Sequence, residues 1–96
     1  MSHRFKVVLA NGCWDLLHFG HLLHLEAAKK MGSLLVVSIT HDDYVGKGPG
    51  RPIYRHGQRS ALIRALKCVD EVIVVKSLIS AMKIVRPDIL VKGTDY

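Results

Sequence analysis

Residues 5–31, which read FKVVLANGCWDLLHFGHLLHLEAAKKM, decide the fold of this protein. The stretch begins with a nearly continuous apolar run at 5–10, which is typical of a strand buried on both faces of a parallel sheet. A helical pattern follows over 20–31, with Glu26, Lys29 and Lys30 on one face and Gly32 as the expected stop. The opposite face is predicted to be buried: Leu23, Leu25, Ala27, Ala28 and Met31.

The same alternation continues along the chain. Apolar runs at 34–39, 71–75 and 88–92 predict three more strands. A second helix is expected over about 58–68, and a third opens at the N-cap Ser77 and ends before Pro87. The buried faces are predicted as Leu62, Ile63, Ala65 and Leu66 in the second helix, and Leu78, Met82 and Val85 in the third. The order β-α-β-α-β-α-β predicts a Rossmann-like, doubly wound α/β sheet with parallel strands.

Composition limits the class of protein. The 96 residues are 49% hydrophobic and 23% charged, as expected for one globular domain over 1–96. A formal net charge of +6 favours an anionic partner, either a nucleic acid or a phosphorylated metabolite. No apolar run approaches the roughly 18 residues of a membrane span, and the first residues lack a signal-peptide pattern. Two cysteines make no disulfide framework, so a cytoplasmic location is expected.

Ligands of doubly wound sheets bind beyond the carboxyl ends of the strands, near the topological switch point. His18, Gly20 and His21 stand there, where the first helix begins. A helix N-terminus attracts phosphate, Gly20 lets an anion approach the backbone, and two imidazoles supply donors. The alternative is a helix-start pair with ordinary hydrogen bonds. With His24, the pair also suggests a zinc site, but we expect His24 to be a packed, hydrogen-bonded core histidine.

Cationic residues follow the later strands. The glycine-rich segment 41–52 carries Lys47 and Arg51 but is neither a Walker A loop nor a dinucleotide fingerprint. It suits closure over phosphates, and an ordinary exposed turn is the alternative. Arg59 falls inside the apolar arc of the second helix, so it either pairs with a buried carboxylate or reaches into a site, and we favour the site. Lys92 and Asp95 either belong to the site or cap an exposed strand end.

Together these residues resemble the cytidylyltransferase-like nucleotidyltransferases that carry a His-x-Gly-His motif. The resemblance covers residues 7–96 and rests on GCWDLLHFGH at 12–21, KGPGRP at 47–52, Gln58-Arg59, VDEV at 69–72 and RPDILVKGTDY at 86–96. The loop and the final motif look most like the adenylyltransferase domain of ADP-heptose synthase. Glycerol-3-phosphate cytidylyltransferase shares the first motif closely but is less similar in the loop.

The resemblance implies transfer of an adenylyl or cytidylyl group from ATP or CTP to a phosphorylated sugar or glycerol-type molecule, with Mg²⁺ and release of pyrophosphate. It assigns catalytic roles to His18, His21, Lys47 and Arg59. It places Gly12, Cys13, Trp14, Asp15, Gly20, Lys92, Gly93 and Asp95 at the nucleotide. It also implies a homodimer formed through the first helix region.

The family pattern continues beyond residue 96 with a Ser/Thr-rich motif, so the resemblance predicts a domain truncated at its C-terminal end. The truncation leaves three alternatives: a fragment of a longer enzyme, a domain whose missing part a partner supplies, and a catalytically incomplete nucleotide- or phosphate-binding module. A nucleic-acid-binding domain is a further alternative, suggested by the net charge of +6 and by a similar motif in class I aminoacyl-tRNA synthetases. Aromatic residues make up only 6% of the chain and the cations are scattered, so we expect no nucleic-acid partner.

Overall fold

The computed structural model describes residues 5–14, 17–44 and 55–92. Strands and helices alternate as predicted: β1 (Val7–Gly12), α1 (Phe19–Lys29), β2 (Leu34–Thr40), α2 (His56–Arg64), β3 (Glu71–Val75), α3 (Leu78–Val85) and β4 (Ile89–Lys92). A 3-10 turn at Asp42–Tyr44 follows β2. Among the described residues, no helix combines the length and the apolar character that crossing a bilayer requires.

The four strands form one parallel sheet in the order β3-β2-β1-β4. The chain moves outward from β1 through β2 to β3 and then returns to the other side of β1 for β4. The topological switch point therefore lies between β1 and β4, which confirms the doubly wound α/β fold. In the register of this pair, Asn11 of β1 stands beside Lys92 of β4, so the carboxyl ends of both strands meet at one edge of the sheet.

Two apolar layers cover the faces of the sheet. Val8 and Ala10 of β1 pack with Leu25 of α1 and Ile63 of α2 on one face. Leu9, which points the other way because strand side chains alternate, packs with Ala81 of α3 on the opposite face. The central strands β1 and β2 are thus buried on both sides, and this explains why their sequences do not alternate.

The edge strands and the first strand differ from their predicted description. Val74 of β3 and Leu90 of β4 are exposed, because each edge strand has a neighbour on one side only. The prediction that all four strands are covered on both faces is therefore wrong for β3 and β4. The first strand begins two residues later than predicted and extends to Gly12, since pairing with β2 reaches Gly12 while Phe5 stays 67% exposed.

The buried faces of the helices are narrower than predicted. In α1 only Leu25 and Ala28 are buried, whereas Leu23, Ala27 and Met31 are exposed. Leu62 and Ala65 of the second helix are exposed as well. In α3 it is Ala81, and not Met82, that is buried. A short helix that packs on a sheet buries only a narrow stripe of its own surface. Apolar residues on either side of that stripe stay exposed to solvent.

Candidate functional site

The loop from β1 to α1 lies at the switch point of the sheet. It leaves the last residue of β1, Gly12, and enters α1 through the N-cap His18. Lys92, the last residue of β4, stands in register beside Asn11. The elements therefore bring the predicted residues Gly12, His18 and Lys92 to one edge of the sheet.

His18 and His21 form a reciprocal cap at the start of α1. The Nδ1 atom of His18 accepts a hydrogen bond from the backbone N–H of Gly20 at 3.0 Å. The Nδ1 atom of His21 accepts one from the backbone N–H of His18, also at 3.0 Å. The rings lie 4.0 Å apart between centroids. Because each neutral ring uses Nδ1 as an acceptor, the geometry assigns its proton to Nε2.

The cap is consistent with both interpretations of the histidine pair, an ordinary helix start and an anion-binding site. The hydrogen bonds are those of an ordinary helix start, and the same bonds fix the orientation of both imidazoles. The first turn of α1 carries no acidic residue, so the partial positive charge of the helix N-terminus is not offset there. The arrangement offers oriented N–H donors and a positive helix end to an anion.

Gly20 is fitted to the ring of His18. A Cβ atom at Gly20 would lie 2.8 Å from Cε1 and 3.0 Å from Nδ1 of that imidazole. Contacts this short require the ring to move. The sequence explained Gly20 by the approach of an anion, and the structure adds that the ring of His18 itself requires a residue without a side chain.

Trp14 packs against the histidine pair from the core. Its side chain is buried, its Nε1–H donates to the carbonyl of Ser38 at 3.0 Å, and its ring meets His21 edge-on at 5.4 Å. The backbone φ of Trp14 is 56°, a left-handed conformation that is costly for a bulky residue. Gly12 provides the room, since a Cβ there would lie 3.1 Å from Cε2 of the indole. Trp14, predicted at the nucleotide, thus has its ring in the core.

His24 has the packed position but not the hydrogen bond that the sequence predicted. Its ring centroid lies 6.3 Å from that of Trp14, and its Nε2 is buried with no hydrogen-bond partner among the described residues. Within the ranges 5–14, 17–44 and 55–92, no group of three or more His, Cys, Asp or Glu side chains is placed to hold a metal ion.

Arg59 pairs with a buried carboxylate. Its Nη2 donates to Oδ1 of Asp42 at 2.7 Å, and its Nη1 donates to the carbonyl of Cys13 at 2.6 Å. The residue is 1% exposed. The structure therefore shows the first of the two predicted alternatives, an ion pair with a buried carboxylate. The alternative that we favoured, a side chain that reaches into an open site, is not observed. Arg59 still contacts the predicted site through the backbone of Cys13.

Asp42 is the residue that sequence reasoning missed. It lies in the turn after β2, accepts a hydrogen bond from the backbone N–H of His56 at 2.7 Å and forms an ion pair with Nε of Arg55 at 3.0 Å. Burial by itself raises the pKa of Asp42, but hydrogen bonds from Arg59 and His56 outweigh it and hold the pKa below 3.8. The sequence contained one indication of such a carboxylate. Arg59 lies in the apolar arc of α2, and a buried charge requires a partner of opposite charge.

A groove of about 540 Å³ opens at the carboxyl ends of β2 and β3. Its wall combines a carboxylate, two basic groups, two hydroxyls and apolar surface from β3 and α3: Asp43, His41, Lys76, Tyr44, Ser80, Val74, Val75 and Ile84. The sequence pointed to the segment from residue 76 onward only as a strand end. The structure shows that this segment faces the turn after β2 across the groove.

Several predicted site residues lie outside the described residues, namely Asp15, Lys47, Gly93 and Asp95, together with the loop cation Arg51. Their roles stay predictions. Lys92 is exposed at the end of β4, and Cys13 is a half-buried free thiol.

Comparison with known proteins supports the resemblance. The family model described as Cytidylyltransferase-like matches residues 9–96. The bifunctional protein HldE of Helicobacter pylori strain HPAG1 is 44% identical over 98 residues, which cover 98% of this chain and 21% of that protein. HldE of Pseudomonas fluorescens strain Pf-5 is 45% identical over 102 residues, covering 99% of this chain and 21% of that protein. The chain thus spans about a fifth of the length of these relatives.

The fold has a close counterpart among solved structures. It is similar to the crystal structure of the lipopolysaccharide core biosynthesis protein from Thermoplasma volcanium GSS1, with a TM-score of 0.86 and 35% identity over 97% of this chain and 78% of that chain. The shared architecture agrees with the four-stranded parallel sheet and its alternating helices. Because the family model matches nearly the whole length, the chain belongs to the cytidylyltransferase-like family.

Proposed function

We propose that the protein is a nucleotidyltransferase that moves an adenylyl or cytidylyl group from ATP or CTP to a sugar phosphate or polyol phosphate and releases pyrophosphate. The observation that carries this proposal is the reciprocal cap of His18 and His21 at the switch point of the sheet. Membership of the cytidylyltransferase-like family supports the same reaction class.

The proposed reaction needs positioning and charge neutralisation more than covalent help from the protein. An oxygen of the acceptor phosphate forms a bond to the α-phosphorus, and the bond from that phosphorus to the bridging oxygen of pyrophosphate breaks. The acceptor is already an anion, so no general base is required at neutral pH. The Nε2–H of His18 supplies a donor to the negative charge that develops, and the N-terminus of α1 supplies its partial positive charge, since its backbone N–H groups at 18 and 20–22 are already used within the cap.

The acceptor is proposed to occupy the groove between the turn after β2 and the end of β3. This groove lies at the carboxyl-end edge of the sheet, as the histidine pair does, but on the face that α3 covers and not on the face of α1. Its volume of about 540 Å³ suits a small phosphorylated molecule. Lys76 offers a cation and His41 a ring nitrogen to a phosphate, while Ser80 and Tyr44 offer hydroxyls. The carboxylate of Asp43, 3.7 Å from Nδ1 of His41, repels a phosphate and can accept from the hydroxyl groups of a sugar or polyol. A sugar phosphate is favoured, because the name of the solved relative places that protein in the synthesis of a saccharide.

Magnesium is proposed to enter with the nucleotide. The described residues form no cluster of three metal-ligating side chains, and Mg²⁺ commonly binds through substrate phosphates and water with few protein ligands. The donor chemistry of the site is therefore compatible with an ion that the triphosphate brings. When bound, the ion supplies neutralisation of phosphate charge. A homodimer and a cytoplasmic location remain predictions of the sequence.

Binding and turnover test the proposal separately. Calorimetry with ATP and CTP, each with Mg²⁺, should show selective binding of one nucleotide. Pyrophosphate release is then measured with phosphorylated sugars and glycerol phosphate as acceptors. Normal nucleotide affinity without release for any acceptor would indicate a binding module instead of an enzyme, and binding of neither nucleotide would contradict the proposal.

His18→Asn is the sharpest variant of the histidine pair. Asparagine is a good N-cap residue, so it retains the acceptor for the Gly20 N–H but withdraws the Nε2 donor. We expect an unchanged melting temperature and a loss of turnover of about 10²-fold or more, the scale of one lost transition-state donor. Lys30→Ala, an exposed change at the far end of α1, is the control. Wild-type turnover in His18→Asn would refute the assigned role.

A further inference from the structure

We propose that Asp42 and Arg59 form a buried strut that positions the loop between β1 and α1, and with it the histidine pair, and that neither residue contacts substrate. The catalytic consequence of the strut rests on the proposed function. Its structural consequence, the immobilisation of Cys13, does not.

Two of the three nitrogens of the Arg59 guanidinium donate to the protein, while the buried Nε has no hydrogen-bond partner among the described residues. One of the terminal nitrogens, Nη1, donates to the carbonyl of Cys13 at 2.6 Å, and the other, Nη2, donates to Asp42 at 2.7 Å. The side chain has no exposed surface. Reaching an outside ligand would require Arg59 to leave a buried carboxylate without its principal cation, which is strongly unfavourable. Arg59 therefore acts on the site through the backbone of Cys13.

The base of the strut is fixed at Asp42. This carboxylate joins the turn after β2 to the start of α2, since it takes the backbone N–H of His56 at 2.7 Å and the Nε of Arg55 at 3.0 Å. The ring nitrogen Nδ1 of His56 lies 3.0 Å from the second carboxylate oxygen. Several donors from one helix start hold a single carboxylate, so the position of Arg59 is set by both ends of the pair.

The other end of the strut, at the carbonyl of Cys13, is connected to the histidine pair through Trp14. Cys13 precedes Trp14, whose indole donates to the Ser38 carbonyl at 3.0 Å and lies edge-on to His21 at 5.4 Å. His21 in turn accepts the backbone N–H of His18. The carbonyl of Cys13 and the indole of Trp14 are thus two anchors of one loop. Catalysis by oriented donors depends on such anchoring, because a displacement of about 1 Å can cost about a hundredfold in rate.

Thiol reactivity tests the structural consequence without any assumption about activity. The variant is Asp42→Asn, which keeps the shape of the side chain and removes its charge. Cys13 should be alkylated by iodoacetamide at least about threefold faster than in the wild type, because local opening of the loop exposes it more often. Cys68 serves as the internal reference, since burial raises the pKa of its thiol and it lies away from the strut. An unchanged rate at Cys13 would overturn the proposal.

Asp70→Asn is the matched control. Asp70 accepts from Nζ of Lys29 at 2.5 Å and from the backbone N–H of Leu35 at 2.7 Å, so, like Asp42, it is a carboxylate held by a cation and a backbone amide, although by fewer partners. It precedes β3 at the amino end of the sheet, away from the histidine pair. Neutralising it should leave the alkylation rate of Cys13 and the turnover number unchanged. In this variant the rate at Cys13 is compared directly with the wild type and not with Cys68, because repulsion from Asp70 is one cause of the raised pKa of the Cys68 thiol. An equal acceleration of Cys13 in both variants would show general loosening and refute the strut.

A double-mutant cycle tests the catalytic consequence. Asp42→Asn, Arg59→Met and the double variant should each lower kcat to a similar extent, about tenfold or more, with KM for the nucleotide changed by less than about twofold. If Arg59 instead binds substrate phosphate, Arg59→Met raises that KM by itself and its effect multiplies with that of Asp42→Asn. Such multiplication would overturn the proposal.

Two further measurements keep the outcomes distinct. If Asp42→Asn does not fold, Arg59→Lys replaces it, because lysine keeps the charge but cannot bond Asp42 and Cys13 through two fixed nitrogens, and faster alkylation of Cys13 is again expected. If the wild-type protein releases no pyrophosphate with any acceptor, the proposed function fails. The alkylation rates then decide the strut alone.

Discussion

Replacing Gly20 by alanine tests how closely α1 is fitted to the ring of His18. The new Cβ would lie 2.8 Å from Cε1 of that imidazole, so the ring must retreat by about 0.6 Å to reach an ordinary contact of 3.4 Å. The movement strains or breaks the hydrogen bond from the Gly20 N–H to Nδ1 of His18. Losing an N-cap bond costs about 0.5–2 kcal/mol.

Gly57→Ala is a closely matched control. Gly57 is the second residue of α2, as Gly20 is of α1, and a Cβ at Gly57 would meet nothing within 4 Å. Alanine at such a position stabilises a helix by about 0.4–1 kcal/mol, because it reduces the freedom of the unfolded chain. Both variants share this gain, so the difference between them isolates the cap.

The expected difference is about 1 kcal/mol. For a domain of this size, that corresponds to a melting temperature about 4–8 °C lower for Gly20→Ala than for Gly57→Ala. Thermal unfolding followed by circular dichroism measures it, and pyrophosphate release measures the effect on turnover. We expect Gly20→Ala to lose about tenfold or more in turnover, since the displaced ring misaligns its Nε2 donor. Equal melting temperatures together with equal turnover would refute the reasoning.

Three other predictions concern stability and binding. Leu25→Ala should lower the free energy of unfolding by about 2–5 kcal/mol, whereas exposed Leu23→Ala on the same helix should change it by about 0.5 kcal/mol or less; equal losses in urea titrations would contradict the observed burial. Burial raises the pKa of Asp42, but hydrogen bonds from Arg59 and His56 lower it by more, so the folded pKa lies below 3.8. The carboxylate therefore stabilises the fold fully above pH 3.8 and progressively less as pH falls through its folded pKa. Melting curves between pH 2 and 7 should therefore show a shallower acid decline in Asp42→Asn, and parallel curves would argue against this. Lys47→Ala should weaken binding of the nucleoside triphosphate more than that of the monophosphate, and calorimetry showing equal losses would count against its phosphate role.

Local sequence determined the order and type of the elements and the bounds of some of them, whereas the second helix, predicted over about 58–68, is His56–Arg64. Ser77 marks the start of α3 because its hydroxyl accepts the N–H of Ser80 at 3.2 Å, a bond between residues three apart. The third helix ends at Val85, two residues before Pro87. The apolar runs of β1 and β2 predicted their burial, and the spacing of His18 and His21 placed both rings at one helix start. The caps at Ser77 and at the histidine pair depend on neighbours within one turn of helix, and the apolar runs are continuous stretches of sequence, so both are visible in a short window.

The sequence could not determine which strands lie at the edges or which side of each helix is covered. Val74 of β3 belongs to a strand as apolar as those of the centre, and its exposure follows only from the sheet order β3-β2-β1-β4. Leu23 and Leu25 are equally apolar, yet only Leu25 faces the sheet. The packing of whole helices and strands decides which of these residues are buried, and a short window of sequence contains no information about that packing.

The candidate site divides in the same way. Composition and spacing predicted the histidine pair, the glycine between them and an unusual cation at Arg59. The partners of Arg59 are separated from it by 17 and 46 residues, at Asp42 and Cys13, and only the assembled sheet brings them within 2.7 Å. A buried charge demands a counter-charge, so the sequence determined that a partner must exist. Which carboxylate provides it, and that Arg59 reaches the site through a backbone carbonyl, was decided by the tertiary structure, because compensation of charge acts through space and not along the chain.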